Sequence, residues 1–409
     1  MNRTRSVAAA GLAVALLSAG CSTIDKSSAE TAGPGVTKDS ITLGYLTDLS
    51  GPASASGKVN YHGAELYINQ LNKNGGVCGR QVKLTAQDHQ YDPQKALSLY
   101  RESEPDVLGY VSTLGTPVLS SLSSRFKSDQ VLTTTLAWDY SLLANNSFIT
   151  VPSTSDMDMV AGLGYLNENG LLHKGDAVGE IYIQGLGVSQ VPGVDYAAQQ
   201  LGLTVQKVEV APTSSDMTSQ IQRFKDAGVK VIAAEGLPTQ TAAIATAATS
   251  AGLNVPILTG TAGFVSQLMT TGAASALQQH LYVPLGWSPY SADNAAINEL
   301  RAAYQADPGG VEADAGLVNG WSQAKVYTDI IAKSCDQLTR AGLEKAYRSI
   351  SDLKVTGLLP DLDFSHPGKP AARAYNITRP DSTVQGGLKM VSQPFITPSL
   401  LAGYQPPEG

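Results

Sequence analysis

Three hydroxyl side chains lie close together in the segment STLGTP, at Ser112, Thr113 and Thr116. The segment follows a predicted strand and precedes a predicted helix. Backbone N–H groups at the start of such a helix point away from the strand ends, where open α/β sheets bind their ligands. Hydroxyl and N–H groups together suit a carboxylate. The alternative is that each hydroxyl only caps its own helix, and the sequence leaves both interpretations open for any single residue.

Two carboxylates could hold a positively charged group. Glu235 ends the predicted strand 229–234, and Asp139 follows another strand. Because an unpaired charge is unfavourable away from water, a bound ammonium group would require such a partner. The alternative for Glu235 is a solvated residue at a strand end.

The chain contains three tryptophans, Trp138, Trp287 and Trp321. Trp138 follows the predicted strand 131–135, and Trp321 lies at the start of a predicted helix. Tryptophan combines a large apolar surface with one hydrogen-bond donor and suits a pocket for a ring or another flat ligand. The alternative is that some of these side chains belong to the core.

Several functional classes are excluded. The net charge of −7 and the pI near 5.3 argue against a nucleic-acid partner, which requires a basic surface. The sequence has neither a nucleophile elbow nor a phosphate-binding loop, so we predict neither an enzyme nor a cofactor. We predict no metal site, because no cysteine cluster exists and ligand spacing is absent from the five histidines, His62, His89, His173, His280 and His366.

The predicted elements alternate between strands and helices. Residues 63–73 show apolar positions at helical spacing, and the helix ends at Asn74-Gly75-Gly76. Alternating strands and helices predict an α/β fold with parallel sheets covered on both faces. The remaining strands are predicted at 82–86, 107–111, 131–135, 177–183, 203–210, 229–234 and 255–259. A helix is also predicted at 191–201, closed by Gly202.

The N-terminal segment has the features of an export signal. Arg3 and Arg5 precede an apolar stretch at 7–17, and small residues lead to Cys21. We expect residues 1–21 to form a lipoprotein signal with Cys21 as the lipidated residue; the alternative is an ordinary secretory signal. Residues 22–39 are rich in small and polar residues and are expected to form a flexible tether. Either signal places the mature protein outside the cytoplasmic membrane.

Four motifs follow one another over about fifty residues: Ser50-Gly51-Pro52, Gly63-Ala64-Glu65-Leu66, the segment 72–80 and the segment 88–93. In this order and spacing they resemble the start of the branched-chain amino-acid-binding family. This family comprises type I periplasmic solute-binding proteins of ABC importers.

The resemblance implies two doubly wound α/β lobes joined by three crossings, which close on a ligand like a hinge. Lobe one would comprise 40–135 plus 284–354, and lobe two 136–283 plus 355–409. The expected function is that of a monomeric solute-binding protein that serves an ABC permease. The alternatives are a ligand sensor for a membrane receptor and an exported α/β enzyme.

The resemblance also implies contact positions. Thr116 falls where relatives place the serine that holds the ligand carboxylate, and Trp138 replaces a threonine in the segment Leu136-Ala137-Trp138. Ala262 replaces the acid that holds the ligand ammonium. These departures predict a ligand more apolar than an aliphatic amino acid: an aromatic or apolar carboxylate, an amide or an amino-acid derivative. The further positions expected to contact the ligand are Leu186, Glu235, Leu237 and Trp321.

Cys78 and Cys335 are the cysteines that remain after Cys21. A pair of cysteines in an exported protein favours a disulfide, and the family topology places both in lobe one. The alternative is two buried free thiols.

Overall fold

The computed structural model describes Met1 and residues 32–184, 187–211 and 213–408. The predictions for Cys21, for the signal segment and for Leu186 lie outside the described residues. Residues 32–409 form one compact unit. In the described part of the chain, no helix has the length and apolar character needed to cross a membrane.

Five parallel strands form the first sheet, in the order β2-β1-β3-β4-β5. Helices α1, α2, α3, α9, α10 and α11 belong to this half of the molecule. The strands are β1 (Ser40–Thr47), β2 (Gln81–Asp88), β3 (Tyr110–Leu114), β4 (Thr133–Leu136) and β5 (Phe148–Ile149). The helices are α1 (Ser54–Lys73), α2 (Pro93–Ser103), α3 (Thr116–Ser128), α9 (Ala295–Ala306), α10 (Ala315–Ala332) and α11 (Arg340–Arg348).

Seven strands form the second sheet, in the order β12-β11-β10-β9-β8-β6-β7. Strands β6 to β10 pair in parallel, whereas β11 and β12 add an antiparallel edge. The strands are β6 (Ala177–Ile183), β7 (Thr204–Val210), β8 (Val231–Glu235), β9 (Ile257–Leu258), β10 (Leu281–Leu285), β11 (Asn376–Pro380) and β12 (Leu388–Met390). The helices are α4 (Ser155–Glu168), α5 (Val191–Leu201), α6 (Thr218–Asp226), α7 (Pro238–Ser250), α8 (Ala274–His280) and α12 (Ser399–Ala402).

The two sheets confirm the predicted α/β fold. Local signals located many elements closely: β6 and α5 have the predicted bounds, and the predicted glycine cap Gly202 adopts a left-handed conformation after α5. The antiparallel edge formed by β11 and β12 was not predicted, because both strands are short and β12 has only three residues.

The first sheet extends beyond the predicted lobe boundary at residue 135. Strand β5 pairs with β4 through Thr133–Phe148 and Thr134–Ile149. A strand of two residues has no periodic pattern that sequence analysis could detect. The segment 136–149, assigned to lobe two from the sequence, therefore leads to a strand of the first sheet.

Helices α1 and α10 pack against each other at very short distance. A Cβ atom at Gly63 would lie 2.2 Å from the carbonyl oxygen of Leu317, and one at Gly320 would lie 1.8 Å from that of Asn60. Asn319 donates a hydrogen bond of 2.8 Å to the Asn60 side chain in this interface. Glycine is thus required at both crossing points. The close packing of α1 and α10 joins the two helices into one layer of the first-sheet half.

Cys78 and Cys335 form a disulfide with a Cα–Cα distance of 5.3 Å. Cys78 follows α1 and is half-buried, whereas Cys335 follows α10 and is exposed. The bond therefore links the C-terminal ends of the two helices whose packing is described above. The two cysteines are therefore not free thiols, which was the alternative.

We expect removal of this disulfide to lower the free energy of unfolding. The bond closes a loop across 257 positions, and loops of this size restrict the unfolded chain by an amount equivalent to about 2–5 kcal/mol. The double variant Cys78→Ser/Cys335→Ser should show this loss in urea denaturation. The stability of the double variant should not change when reductant is added. It should equal the stability of the wild type whose disulfide has been reduced. Equal stability of the oxidised wild type and the variant would contradict the expectation.

Candidate ligand-binding cleft

A cavity of about 390 Å³ lies between residues of the two sheets. Leu114 and Leu136 reach it from the ends of β3 and β4, and Glu235 reaches it from the end of β8. In α/β sheets the space beyond the carboxyl ends of the strands is the usual place for a ligand. The volume lies within the range of small-molecule sites, about 300–1,000 Å³.

Four helices begin at the cavity, namely α1, α3, α7 and α10. The residues at or just before their first turns that line it include Ala53, Thr116, Leu237 and Ala315. Each helix N-terminus carries a partial positive charge and free N–H groups, and therefore favours an anion. No side chain caps α3, whose N-terminal Gly115 has a positive φ of 100°. The first turn of α3 is thus a candidate position for a ligand carboxylate.

Thr116 lines the cavity, whereas Ser112 and Thr113 do not. Both belong to β3, which continues to Leu114, three residues beyond the predicted end of the strand. Thr113 shares a hydrogen bond of 2.9 Å with the Thr133 hydroxyl inside the sheet. The structure therefore corrects the prediction for Ser112 and Thr113, because their side chains are buried within the first sheet.

Two of the three tryptophans form one wall of the cavity. The rings of Trp138 and Trp287 are 5.8 Å apart, and the Trp287 indole N–H donates to the carbonyl oxygen of Ala315 at 2.8 Å. The Trp138 indole nitrogen is buried and has no hydrogen-bond partner. Trp321 is a core residue instead, because its position in α10 turns it toward Tyr67 of α1, with ring centroids 5.2 Å apart.

The other predicted wall residues line the cavity where the structure describes them: Leu136, Ala137, Leu237 and Ala262. Sequence analysis missed a second group of apolar residues that follows β9. It comprises Phe264, Val265 and Leu268. The position of this group after a strand of the second sheet was the available signal, but the segment carries no recognisable motif.

Glu235 is a buried acid with one satisfied oxygen. The Ser155 hydroxyl donates a hydrogen bond of 2.5 Å to Oε1, whereas Oε2 has no partner. Only 7% of the residue is exposed. A Cβ atom at Gly260 would lie 3.1 Å from Oε1, so glycine leaves room for the carboxyl group. The structure thus excludes the alternative of a solvated strand-end residue.

Burial is the main cause that raises the pKa of Glu235 to about 8, and the negative charges of Asp158, Asp156 and Asp139 contribute to this rise. Asp314, at the start of α10, also lines the cavity, and burial raises its pKa to about 6. Its oxygens accept from the N–H groups of Gly316 and Ser266.

Among the described residues that line the cavity, none is lysine, arginine or histidine. The described chain also has no group of three or more side chains that could hold a metal ion. The cleft therefore combines apolar walls, helix N-termini and buried acids without a basic side chain.

An α/β molecule with two sheets and a cleft between them has the architecture of a periplasmic binding protein. The chain belongs to this family, because the family model for a periplasmic binding protein matches residues 40–386. This confirms the family predicted from the motifs. Proteins of the family bind solutes and are not enzymes.

Three relatives define the range of similarity. A fatty acid ABC transporter substrate-binding protein from Thermomonospora curvata is 37% identical, with a TM-score of 0.87 over 92% of this chain and 97% of that protein. A Leu/Ile/Val-binding protein homolog 3 from Brucella melitensis is 24% identical over 82% of this chain and 85% of its own length. A branched-chain amino acid ABC transporter protein from Thermus thermophilus with bound valine shares the fold, at 18% identity and a TM-score of 0.76 over 90% and 98%.

These findings confirm the predicted function at the level of the class. The protein is an extracytoplasmic solute-binding protein of an ABC transporter. It binds a small organic ligand and works with the membrane permease of the transporter.

The raised pKa of Glu235 predicts a pH-dependent stability. The folded state holds this proton more tightly than the unfolded state, whose pKa is near the ordinary 4.5, so the free energy of unfolding falls as the pH rises from 4.5 to about 8. At pH 8 we expect Glu235→Gln to be more stable than the wild type by roughly 4 kcal/mol. The difference should shrink toward pH 4.5.

Urea denaturation of the unliganded protein at several pH values measures this difference. Glu209→Gln, an exposed acid at the end of β7, is the matched control and should follow the wild type. A constant difference between Glu235→Gln and the wild type at all pH values would contradict the prediction.

Proposed function

We propose that the ligand is an aliphatic carboxylate, a fatty acid of short or medium chain, that an ABC importer takes up. The observation that carries this proposal is the apolar cavity whose described lining contains no basic side chain. An apolar chain gains stability from burial against these walls, at roughly 0.8 kcal/mol per methylene group. The carboxylate finds donors in the uncapped first turn of α3 and the Thr116 hydroxyl. A carboxylate offers about four acceptor sites, so donors from the second-sheet half can bind it at the same time.

The amino-acid ligands of other family members fit this cleft less well. Ala262 stands where the resemblance places the acid for the ligand ammonium, and it lines the cavity. Glu235 is near enough to replace that acid, but its pKa of about 8 leaves it mostly uncharged at neutral pH. A ligand ammonium would therefore have to displace the proton of Glu235, at a cost of about 1.4 kcal/mol per pKa unit, before it gained a counter-charge. The fatty-acid relative at 37% identity supports the same choice.

The second candidate is an aromatic carboxylate or amide. Trp138 and Trp287 lie in one wall, with rings 5.8 Å apart and tilted by 32°. This pair of rings favours an aromatic ligand. Aromatic rings stack on such walls with about 0.5–1.5 kcal/mol beyond the burial of area.

We also propose hinge closure of two lobes, with the lobe boundaries predicted from the sequence except for the first. Pairing of β5 with β4 supports a first boundary after Ile149 instead of residue 135. Lining residues from both sheets support a cavity that closes around the ligand. The functional unit would be a monomer anchored through a lipid on Cys21. A role as a ligand sensor is the alternative to service of a permease.

We expect saturated carboxylates of about six to twelve carbons to raise the melting temperature of the purified protein in a thermal-shift assay. A ligand present at 100 times its dissociation constant stabilises by about 2.7 kcal/mol. Leucine and valine should give no shift at the same concentration. A larger shift with aromatic carboxylates would favour the second candidate, and shifts with leucine or valine alone would contradict both.

A pair of variants locates the binding site. Val265→Glu places a charge in the apolar wall and should abolish the shift. Leu171→Glu alters an exposed apolar residue and should preserve it. If both variants retain the shift, the ligand binds outside this cavity.

The proposed lipid anchor has a separate test. Cys21→Ala removes the acceptor for the lipid, so the protein should move from the membrane fraction to the soluble extracytoplasmic fraction. Ser22→Ala is the matched control and should remain with the membrane. Immunoblots of the fractions measure the distribution, and a wild type that is already soluble would contradict lipidation.

A further inference from the structure

We propose that Glu235 binds the ligand carboxylate as a neutral carboxylic acid, donating a hydrogen bond from Oε2. Glu235 would thereby select carboxylates over amines and make binding depend on pH. This inference rests on the proposed function and names the group that determines the specificity of the cleft.

The hydrogen-bond geometry assigns the proton to Oε2. Oε1 accepts the hydrogen bond from the Ser155 hydroxyl at 2.5 Å and therefore acts as the carbonyl-type oxygen. Oε2 is buried and has no partner among the described residues, and Glu235 is one of the residues that line the cavity. A buried polar group without a partner lowers stability, so a ligand acceptor at this place removes an existing penalty.

The charges around Glu235 favour its neutral form. Asp156 and Asp158 approach it from α4, and Asp139 from the segment after β4. Burial raises the pKa of Asp158 to about 7, so that this neighbour titrates in the same range. An ionised Glu235 beside these groups would repel a ligand carboxylate. A protonated Glu235 instead donates a hydrogen bond to that carboxylate.

Two other titratable groups border the cavity on the first-sheet side. The oxygens of Asp314 accept from the backbone N–H groups of Gly316, in the first turn of α10, and of Ser266, in the segment after β9. Burial raises the pKa of Tyr91 to about 12, so it stays neutral at physiological pH. Neither group supplies a positive charge that could replace the proton on Glu235.

Trp138 supplies a second donor next to Glu235. Its backbone oxygen accepts a hydrogen bond of 2.7 Å from the Ser155 N–H, and the Ser155 hydroxyl bonds Glu235. Ser155 thus connects both residues. Trp138 and Glu235 both line the cavity, and the indole N–H of Trp138 is buried without a partner among the described residues. Two donors with no acceptor in the protein fit a carboxylate, which offers two oxygens.

The decisive experiment measures the dissociation constant of decanoate by tryptophan fluorescence between about pH 6 and pH 9.5, with decylamine as the matched amine. The ligand carboxylate stays ionised throughout this range. We expect a constant affinity for decanoate at low pH and a loss of about tenfold per pH unit above the pKa of Glu235. Decylamine should bind at least tenfold more weakly than decanoate at pH 6.

Variants assign the pH dependence to Glu235. Glu235→Gln keeps a neutral donor and should make decanoate binding independent of pH up to about 9.5. Glu235→Ala removes the donor and should weaken binding about tenfold at pH 6. Asp158→Asn removes a neighbouring negative charge, so the loss of affinity should begin at lower pH than in the wild type.

Each opposite result overturns the inference. Decanoate binding with the same pH profile in the wild type and in Glu235→Gln would show that another group titrates, while the proposed function stands. Decylamine binding that strengthens with pH would show that ionised Glu235 binds a cation. Failure of decanoate to bind the wild type at any pH would overturn the inference and the proposed function together.

Discussion

A carboxyl group buried without a counter-charge constrains the chemistry of the whole cleft. Glu235 lies at the end of a central strand of the second sheet and lines the apolar cavity. The negative charges of neighbouring acids also act on its carboxyl group. Such a group either finds a cation or remains protonated, because an isolated charge in this environment is too unfavourable. The described lining offers no cation. The raised pKa of Glu235 therefore favours an uncharged carboxyl group at this end of the cleft.

The scaffold holds this arrangement by packing on both sides. In the half built on the first sheet, α1 and α10 approach so closely that glycine is required at Gly63 and Gly320, and the disulfide joins the ends of the same helices. The N-termini of these helices open into the cavity. Rigid helix packing therefore fixes the direction of the N–H groups that face the ligand, while Trp287 bridges to α10 through the carbonyl oxygen of Ala315.

Proteins of the family can thus share one fold and still bind ligands of different chemistry. The resemblance implies that Ala262 replaces an acid that holds a ligand ammonium and that Trp138 replaces a threonine, and both residues line the cavity. Both changes reduce the polarity of the cleft without altering the sheets. Similarity at the level of the fold alone, as with the valine-bound protein, consequently says little about the ligand.

The sequence by itself determined the alternation of strands and helices, the family and several cavity residues. Hydrophobic periodicity and glycine caps are local signals, and they located β6, α5 and Gly202 closely. Motif order identified the family, and the position after a strand end identified Thr116 and Trp138.

Only the tertiary structure decided which side chains of a segment face the ligand and which face the core. Ser112 and Thr113 fall inside a strand, and Trp321 packs against α1, because these environments depend on neighbours that are distant in sequence. Strand β5 exists only through its pairing with β4. The neutral state of Glu235 likewise follows from burial and from acids about 80 and 100 positions away, which no local pattern can specify.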